Sequence, residues 1–238
     1  MARKYPMILR RDETFRVVFS LRTPAQGGLE KVGTGIFVAK ENELFLVTAN
    51  HVAIDCNVNT SLVISDNTGN ATVLNLLDFN PKLQWIHHPI ADLSAMPIIV
   101  SEKNHARLAS RFFPYDHFNL QPTAVSRDYE LTSVGFPYGM GAQGKFSPLT
   151  YRSYASSSFV SFNRFDTKTP SEFFLLENPS VGGYSGGPIF DLAYMVVGGM
   201  TTTKDKTICY GLMHGTLSDE TGGKLAAVTP SHYLAQII

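Results

Sequence analysis

The 238-residue sequence is poor in cysteine and has no excess of charge of either sign. It holds two cysteines, Cys56 and Cys209, and balances 20 basic residues against 20 acidic ones. A disulfide scaffold needs several closely spaced cysteine pairs, so we expect two free thiols. The balanced charge gives no electrostatic field that would hold nucleic acid or an anionic membrane, and we expect neither as a partner.

Long apolar runs are also missing. Near the N-terminus, the apolar stretch between basic residues covers only Tyr5 to Leu9. A signal peptide needs about 7–15 apolar residues there, and a membrane-spanning helix needs about 20. The sequence therefore predicts a cytoplasmic protein.

The apolar residues that are present come in short runs bounded by Gly, Asn, Asp and Pro. Such runs, rich in Val, Ile, Phe and Thr, are typical of β-strands. Many short strands at this spacing predict an all-β fold rather than alternating strands and helices. The runs are Phe15 to Phe19, Gly35 to Val38, Leu44 to Val47, Ser61 to Ile64, Ala71 to Leu77, Pro97 to Val100, Leu131 to Phe136, Phe159 to Phe162, Phe173 to Leu176, Met195 to Met200, Cys209 to His214 and Leu225 to Val228.

Helix is expected in only two places. One turn can form at Ala53 to Cys56, and a short C-terminal helix can start after Thr229, with Thr229 as its N-cap and Pro230 at its first position. The proline-containing stretch 110–122 is the expected connection between two halves of the chain, residues 1–112 and 113–238.

The strongest local motif is Gly-Gly-Tyr-Ser-Gly-Gly-Pro at residues 182–188. A nucleophilic serine must lie on a tight turn where backbone N–H groups surround its hydroxyl. Flanking glycines permit that backbone and let a substrate carbonyl approach. Ser185 is therefore the candidate nucleophile.

A second motif, Thr-Ala-Asn-His, ends at His51 after an apolar strand. Together the two motifs resemble those of the trypsin-like, chymotrypsin-fold serine peptidases. That resemblance implies two six-stranded antiparallel β-barrels with the active site in the cleft between them. It also implies His51 as general base, Ser185 as nucleophile, and the N–H groups of Gly183 and Ser185 as the oxyanion hole.

The family's third catalytic residue is an aspartate between the two motifs that opens an apolar strand. Asp92 fits, because Leu93 to Ile99 follows it. Asp78 and Asp116 are rivals, but Asp78 lies inside an apolar segment and Asp116 lies in the expected connector.

Two further segments resemble the bacterial HtrA-like branch of this family. They are Val134 to Met140, which contains a Gly-x-Pro-x-Gly turn, and Ala227 to Ser231 near the C-terminus. No PDZ domain is expected in this chain. Tyr184 stands where trypsin has the acid that pairs with a newly cut N-terminus, so activation by that route is not expected.

The resemblance to trypsin, whose pocket acid lies six positions before the nucleophile, implies a primary specificity pocket between Pro179–Ser180 and the stretch Gly199, Met200 and Thr201. Neither side carries a charge, and the nearest carboxylate is that of Glu177. A Lys or Arg side chain would lose its hydration there without gaining an ion pair, so a small or apolar P1 residue is favoured.

Three other patterns resemble parts of a cofactor or metal site, and each of them favours another interpretation. Gly139 to Gly144 is formally G-x-G-x-x-G, but the following Lys-Phe-Ser-Pro cannot open a helix beneath a dinucleotide. His87 and His88 are adjacent, and on a strand they would point to opposite faces. His105, His117, His214 and His232 are interpreted as surface or core residues.

The sequence thus predicts an endopeptidase that acts on a protein or peptide through an acyl-enzyme, with no cofactor. Two alternatives stay open. One is a binding or scaffolding module that keeps the fold without turnover, and the other is a serine esterase. The esterase is disfavoured because Pro188 to Phe190 predicts a strand after the serine, whereas an esterase elbow leads into a helix.

Overall fold

The computed structural model describes residues 7–238, without the side chains of residues 103 and 195–197. The stretch from Tyr5 to Leu9 that bears on a leader begins outside this range. Within it, the strands in chain order are β1 Val18–Pro24, β2 Glu30–Lys40, β3 Glu43–Thr48, β4 Ser61–Ser65, β5 Ala71–Asn75, β6 Ile86–His87, β7 Ser94–Pro97, β8 Phe113–Pro114, β9 Leu131–Gly135, β10 Ala142–Gln143, β11 Lys145–Phe146, β12 Leu149–Ser153, β13 Val160–Asn163, β14 Pro170–Leu176, β15 Pro188–Asp191, β16 Tyr194–Val197, β17 Met200–Thr203, β18 Ile208–Ser218 and β19 Lys224–Pro230.

Helices are few and short. The α-helices are α1 Asn50–Asp55 and α2 Glu102–Leu108, and the 3₁₀ segments are Arg11–Arg16, Gln26–Gly28, Leu76–Asp78, Tyr115–His117, Pro137–Gly139 and Ser231–Gln236. No helix in the described range is long and apolar enough to cross a bilayer.

The first half of the chain forms one sheet in the order β5-β4-β1-β2-β3-β7-β6, with β8 pairing in parallel with β2. Side chains alternate along β2, so that Phe37 packs with Phe19 and Leu46 on one face of this sheet. Its neighbours Ile36 and Val38 join a different cluster on the opposite face. This burial on both faces explains why Ile36 to Val38 is apolar without interruption.

The second half forms a seven-stranded sheet in the order β12-β9-β15-β18-β19-β14-β13. Its interior contains Leu131, Phe174, Ile189 and Met213. Neighbouring strands are antiparallel throughout.

One core joins the two sheets. The ring of Phe113, from β8 of the first sheet, lies 5.2 Å from that of Phe190 in β15 and 5.4 Å from that of Phe118. Phe118 also forms a parallel bridge with Cys209 of β18. The segment expected as a connector thus packs against both sheets, and the division at residue 112 stays a prediction.

The predicted all-β fold with two antiparallel units is confirmed. The first sheet has six strands of four residues or more, extended by the two-residue strands β6 and β8, and the second has seven strands. The loop at Gly139 to Gly144 leads into the β10–β11 hairpin and not into a helix. Both cysteines are free thiols.

The predicted N-cap role of Thr229 is wrong. The ladder between β18 and β19 continues to the pair Gly211 and Pro230, so Thr229 is still part of a strand. Pro230, with φ −61° and ψ 141°, is the extended residue before the terminal 3₁₀ segment.

Candidate active site

His51 lies at the point where β3 passes into helix α1. Ala49 is extended and buried, and the helix begins at Asn50. His51 is therefore in the first helical turn, where its backbone N–H has no partner within the helix. That N–H donates to Asp92 Oδ1 at 2.9 Å, which fixes the helix end against the aspartate.

Asp92 is fully buried beside His51. The His51 Nδ1 lies 2.7 Å from Asp92 Oδ2, and the His51 side chain is 19% exposed. Since an ionised carboxylate can only accept, Nδ1 carries the proton and Nε2 presents its lone pair when the ring is neutral. The rivals lie elsewhere, with Asp78 in a 3₁₀ segment after β5 and Asp116 in the segment after β8.

Burial by itself would raise the pKa of Asp92. Hydrogen bonds from His214 and His51 outweigh that effect and hold the pKa of Asp92 well below its usual range. The carboxylate therefore stays ionised at neutral pH.

Ser185 lies on a turn that requires glycine. Gly183 has φ +102°, and a Cβ there would come 2.2 Å from the carbonyl oxygen of Phe136. Gly186 has φ +80°, and its Cβ would come 2.1 Å from Thr48 Oγ1. The turn thus lies against the end of the strand that precedes His51.

Thr34 of β2 holds this turn to the first sheet. Its N–H donates to the carbonyl of Ser185 at 2.8 Å, and its hydroxyl donates to the carbonyl of Gly183 at 2.7 Å. The hydroxyl also accepts from the N–H of Phe136. Sequence reasoning missed this threonine, because a buried hydroxyl on a strand resembles any other strand residue until its partners are known.

The backbone N–H groups of Gly183 and Ser185 have no acceptor among residues 7–238. The neighbouring carbonyl of Gly182 is turned away, since it accepts from the N–H of Tyr138 at 2.8 Å. Two unpaired N–H groups beside a serine hydroxyl can stabilise an oxyanion.

The Ser185 hydroxyl does not hydrogen bond to His51 in this structure. It donates to the carbonyl oxygen of His214 at 3.3 Å. His51 and Asp92 are therefore joined directly, whereas Ser185 is linked to Asp92 through the backbone and side chain of His214.

Two residues that the sequence did not identify contact Asp92. The Nδ1 of His214 lies 2.6 Å from Oδ2, and Nη2 of Arg164 lies 3.2 Å from Oδ1. The interpretation of His214 as a surface or core residue is correct for its burial but misses this contact. No local pattern distinguishes these two residues, because their partner is more than 70 positions away.

The residues expected in the specificity pocket fall in two places. Ser180 is buried beside the Ser185 turn and accepts from Thr216 Oγ1 of β18 at 2.7 Å. Pro179 is exposed. The expected opposite wall, Gly199 to Thr201, lies at the exposed end of the β16–β17 hairpin and makes no hydrogen bond to Ser180 within the described residues.

Among the described residues, His51, Asp92 and His214 are also the one group spaced as metal ligands could be. One ligand atom of each lies within 4.8 Å of those of the other two. Their contacts fit hydrogen bonds, because both Nδ1 atoms lie at hydrogen-bond distance from the same oxygen. The guanidinium of Arg164 would in addition repel a cation held there.

Comparison with known proteins gives both a family and a fold. The model of a family described as the trypsin-like peptidase domain matches residues 33–200. No curated protein matches the chain in sequence.

Three solved structures share the fold at low identity. An inactive mutant form of Rv3671c from Mycobacterium tuberculosis is 12% identical, with a TM-score of 0.57 over 94% of this chain and 85% of that one. Deg5 is 14% identical, with a TM-score of 0.55 over 95% and 88%. The human heparin binding protein is 12% identical, with a TM-score of 0.54 over 98% and 93%. The predicted resemblance to the trypsin-like peptidases is confirmed by the family model.

Proposed function

This chain belongs to the trypsin-like peptidase family, and on that premise we propose that it is a serine endopeptidase with Ser185, His51 and Asp92 as its catalytic triad. The observation that carries the proposal is the pair of hydrogen bonds that the backbone and ring of His51 donate to Asp92, next to a glycine-supported serine turn. The substrate class is protein or peptide, and the chemistry needs no cofactor.

The proposed reaction begins when the Ser185 hydroxyl leaves the carbonyl of His214 and turns to Nε2 of His51. His51 takes its proton as the oxygen attacks the scissile carbonyl, and Asp92 stabilises the imidazolium that forms. The N–H groups of Gly183 and Ser185 bind the developing oxyanion. His51 then protonates the leaving amine, and water hydrolyses the acyl-enzyme by the same steps.

The packing of Tyr184 supports the proposal that the enzyme is active without cleavage of its N-terminus. Its ring is buried and stacks on Tyr151 at 5.2 Å, and Gly135 leaves room for it. Burial raises the pKa of Tyr184, so the residue is neutral and needs no cationic partner. The turn that carries Gly183 is therefore held by apolar packing and by Thr34.

A binding module is the second candidate function. It is favoured by two observations, the bond from Ser185 to the carbonyl of His214 and the shared fold of a heparin binding protein. The intact His51–Asp92 pair and the unpaired N–H groups oppose it. An esterase elbow is opposed by strand β15, which begins at Pro188 directly after the serine turn.

The test is covalent labelling by a fluorophosphonate together with cleavage of casein. We expect labelling of the wild type and of Ser218→Ala, a control at an exposed serine on β18. Ser185→Ala and His51→Ala should both lose labelling and cleavage. A wild type that stays unlabelled would favour the binding module, and labelling without casein cleavage would favour the esterase.

A further inference from the structure

The carboxylate of Asp92 is shared among more groups than the proposed triad uses. Oδ1 accepts from the His51 N–H at 2.9 Å and from Arg164 Nη2 at 3.2 Å. Oδ2 accepts from Nδ1 of His51 at 2.7 Å and from Nδ1 of His214 at 2.6 Å. Half of these contacts come from the second sheet.

Arg164 reaches Asp92 from the turn between β13 and β14. Its side chain is 2% exposed, and Nη1 also donates to the carbonyl of Ile90 at 3.2 Å. Its other partner is Asp166, which accepts from Nε at 2.9 Å and from Nη2 at 2.5 Å. A buried guanidinium thus lies between two carboxylates, of which one belongs to the proposed active site.

His214 is enclosed by apolar rings. Its ring centre lies 4.2 Å from that of Phe165 and 4.7 Å from that of Phe173. Nε2 is buried without a partner among the described residues, so the contact with Asp92 is the ring's only hydrogen bond there. Because the carboxylate can only accept, the proton of His214 lies on Nδ1.

We propose that Arg164 and His214 are positioning residues that hold Asp92 from the second sheet and divide its negative charge, so that less of that charge acts on the ring of His51. The inference rests on the proposed function, since it concerns the base of that reaction. The backbone carbonyl of His214 accepts from the Ser185 hydroxyl, but the side chains of His214 and Arg164 make their hydrogen bonds in the site to Asp92. Both side chains therefore act through Asp92.

The charges around His51 determine the direction of the expected effects. The groups that face it are Asp92 from the loop before β7, His214 from β18, and Arg164 with Asp166 from the β13–β14 turn. Asp55, on the same helix, is half-buried and paired with Lys31. Loss of Arg164 leaves two carboxylates near the ring and favours its protonated form, whereas loss of the Asp166 charge does the opposite.

The experiment follows the protonation of the His51 ring by NMR in labelled full-length protein, and in parallel the fall of kcat/KM as the pH is lowered. Each of the two curves gives a midpoint pH. In Arg164→Met both midpoints should move up by about one pH unit. In Asp166→Asn they should move down, and in Arg164→Lys they should stay close to those of the wild type. In His214→Phe the loss of a donor to Oδ2 should move them up. KM should change little in all four variants.

Opposite shifts for Arg164→Met and Asp166→Asn cannot come from general loosening of the fold, which would move both variants the same way. If Arg164→Met does not fold, the double variant Arg164→Met with Asp166→Asn removes both charges together. Its midpoint should lie between those of the two single variants. Midpoints that are unchanged, or that move in the same direction in both single variants, would overturn the inference.

The NMR titration needs no turnover, so it separates this inference from the proposed function. A protein that cleaves nothing but shows the opposite shifts would keep the charge-sharing arrangement and reject the endopeptidase. An active protein without the opposite shifts would keep the endopeptidase and reject the charge-sharing arrangement.

Discussion

At the scale of single residues, the candidate site depends on glycines that are not equivalent to one another. Gly183 has positive φ and no room for a Cβ beside Phe136, whereas at Gly182 a Cβ meets nothing within 4 Å. The turn therefore requires glycine at one of two neighbouring positions. The conformation at Gly183 also decides where its N–H points.

Gly183→Ala should lower the rate of fluorophosphonate labelling by about 100-fold or more, the typical effect of losing an oxyanion donor. Gly182→Ala is the matched control in the same loop and should keep most of the wild-type rate. Labelling rates measured at equal concentrations of folded protein check both. Equal losses in the two variants would mean that the conformation at Gly183 has no special role.

At the scale of elements, β18 forms the wall beside the Ser185 turn. Thr216 of this strand donates to the carbonyl of Ser180, and Gly215 before it packs against Phe165. Glu177 is exposed after β14 and is absent from the hydrogen bonds at Ser180. These segments thus place no carboxylate in the hydrogen bonds beside the Ser185 turn.

We expect cleavage after small or apolar residues such as Ala, Val, Leu or Met, measured with a peptide library and mass spectrometry. Removing the Thr216 side chain in Thr216→Gly should widen the space and shift cleavage toward larger apolar P1 residues. Thr201→Gly on the exposed β17 strand is the matched control and should leave the preference unchanged. Dominant cleavage after Lys or Arg would contradict this account of the pocket, and a shift in Thr201→Gly alone would support the predicted wall at Gly199 to Thr201.

At the scale of the whole molecule, contacts distant in sequence close the fold. His88, before β7, is buried, and its Nε2 lies 2.9 Å from Gln236 Oε1 in the terminal 3₁₀ segment. Its Nδ1 accepts from the N–H groups of Ile90 and Ala91, which requires a neutral ring. Burial lowers the pKa of His88 below its usual 6.5, in spite of the opposing hydrogen bond with Gln236.

The free energy of unfolding should therefore fall as the pH drops below about 6.5, because the unfolded chain takes up the proton more readily than the folded one. Above that pH the contribution of His88 is fully present. His88→Asn keeps an acceptor without a proton to gain, so its melting temperature should depend less on pH between 7 and 5. His105→Asn, at an exposed position on α2, is the control. A wild-type melting temperature that rises on acidification would contradict this.

What the sequence determined by itself is the local structure. Most short apolar runs between turn residues lie on strands, and the glycine pattern predicted the turn at Ser185. Two runs were wrong in part, because a turn at Gly198 and Gly199 divides Met195 to Met200 between β16 and β17, and Pro97 to Val100 extends beyond the end of β7. These features depend on backbone conformation within a few residues, which local sequence controls. Asp92 was located by its order between the motifs. The cytoplasmic location and the boundary at residue 112 stay predictions.

The tertiary structure decided what meets at Asp92. His214 and Arg164 come from strands and turns of the other sheet, 122 and 72 positions from the aspartate. For the same reason it is Thr216, and not a residue of Gly199 to Thr201, that donates to the carbonyl of Ser180. The continuation of β19 through Thr229 also depends on pairing with a distant strand. Strand pairing and the packing of two sheets on one core bring such residues together. Since that pairing is non-local, no pattern within a short window of sequence specifies it.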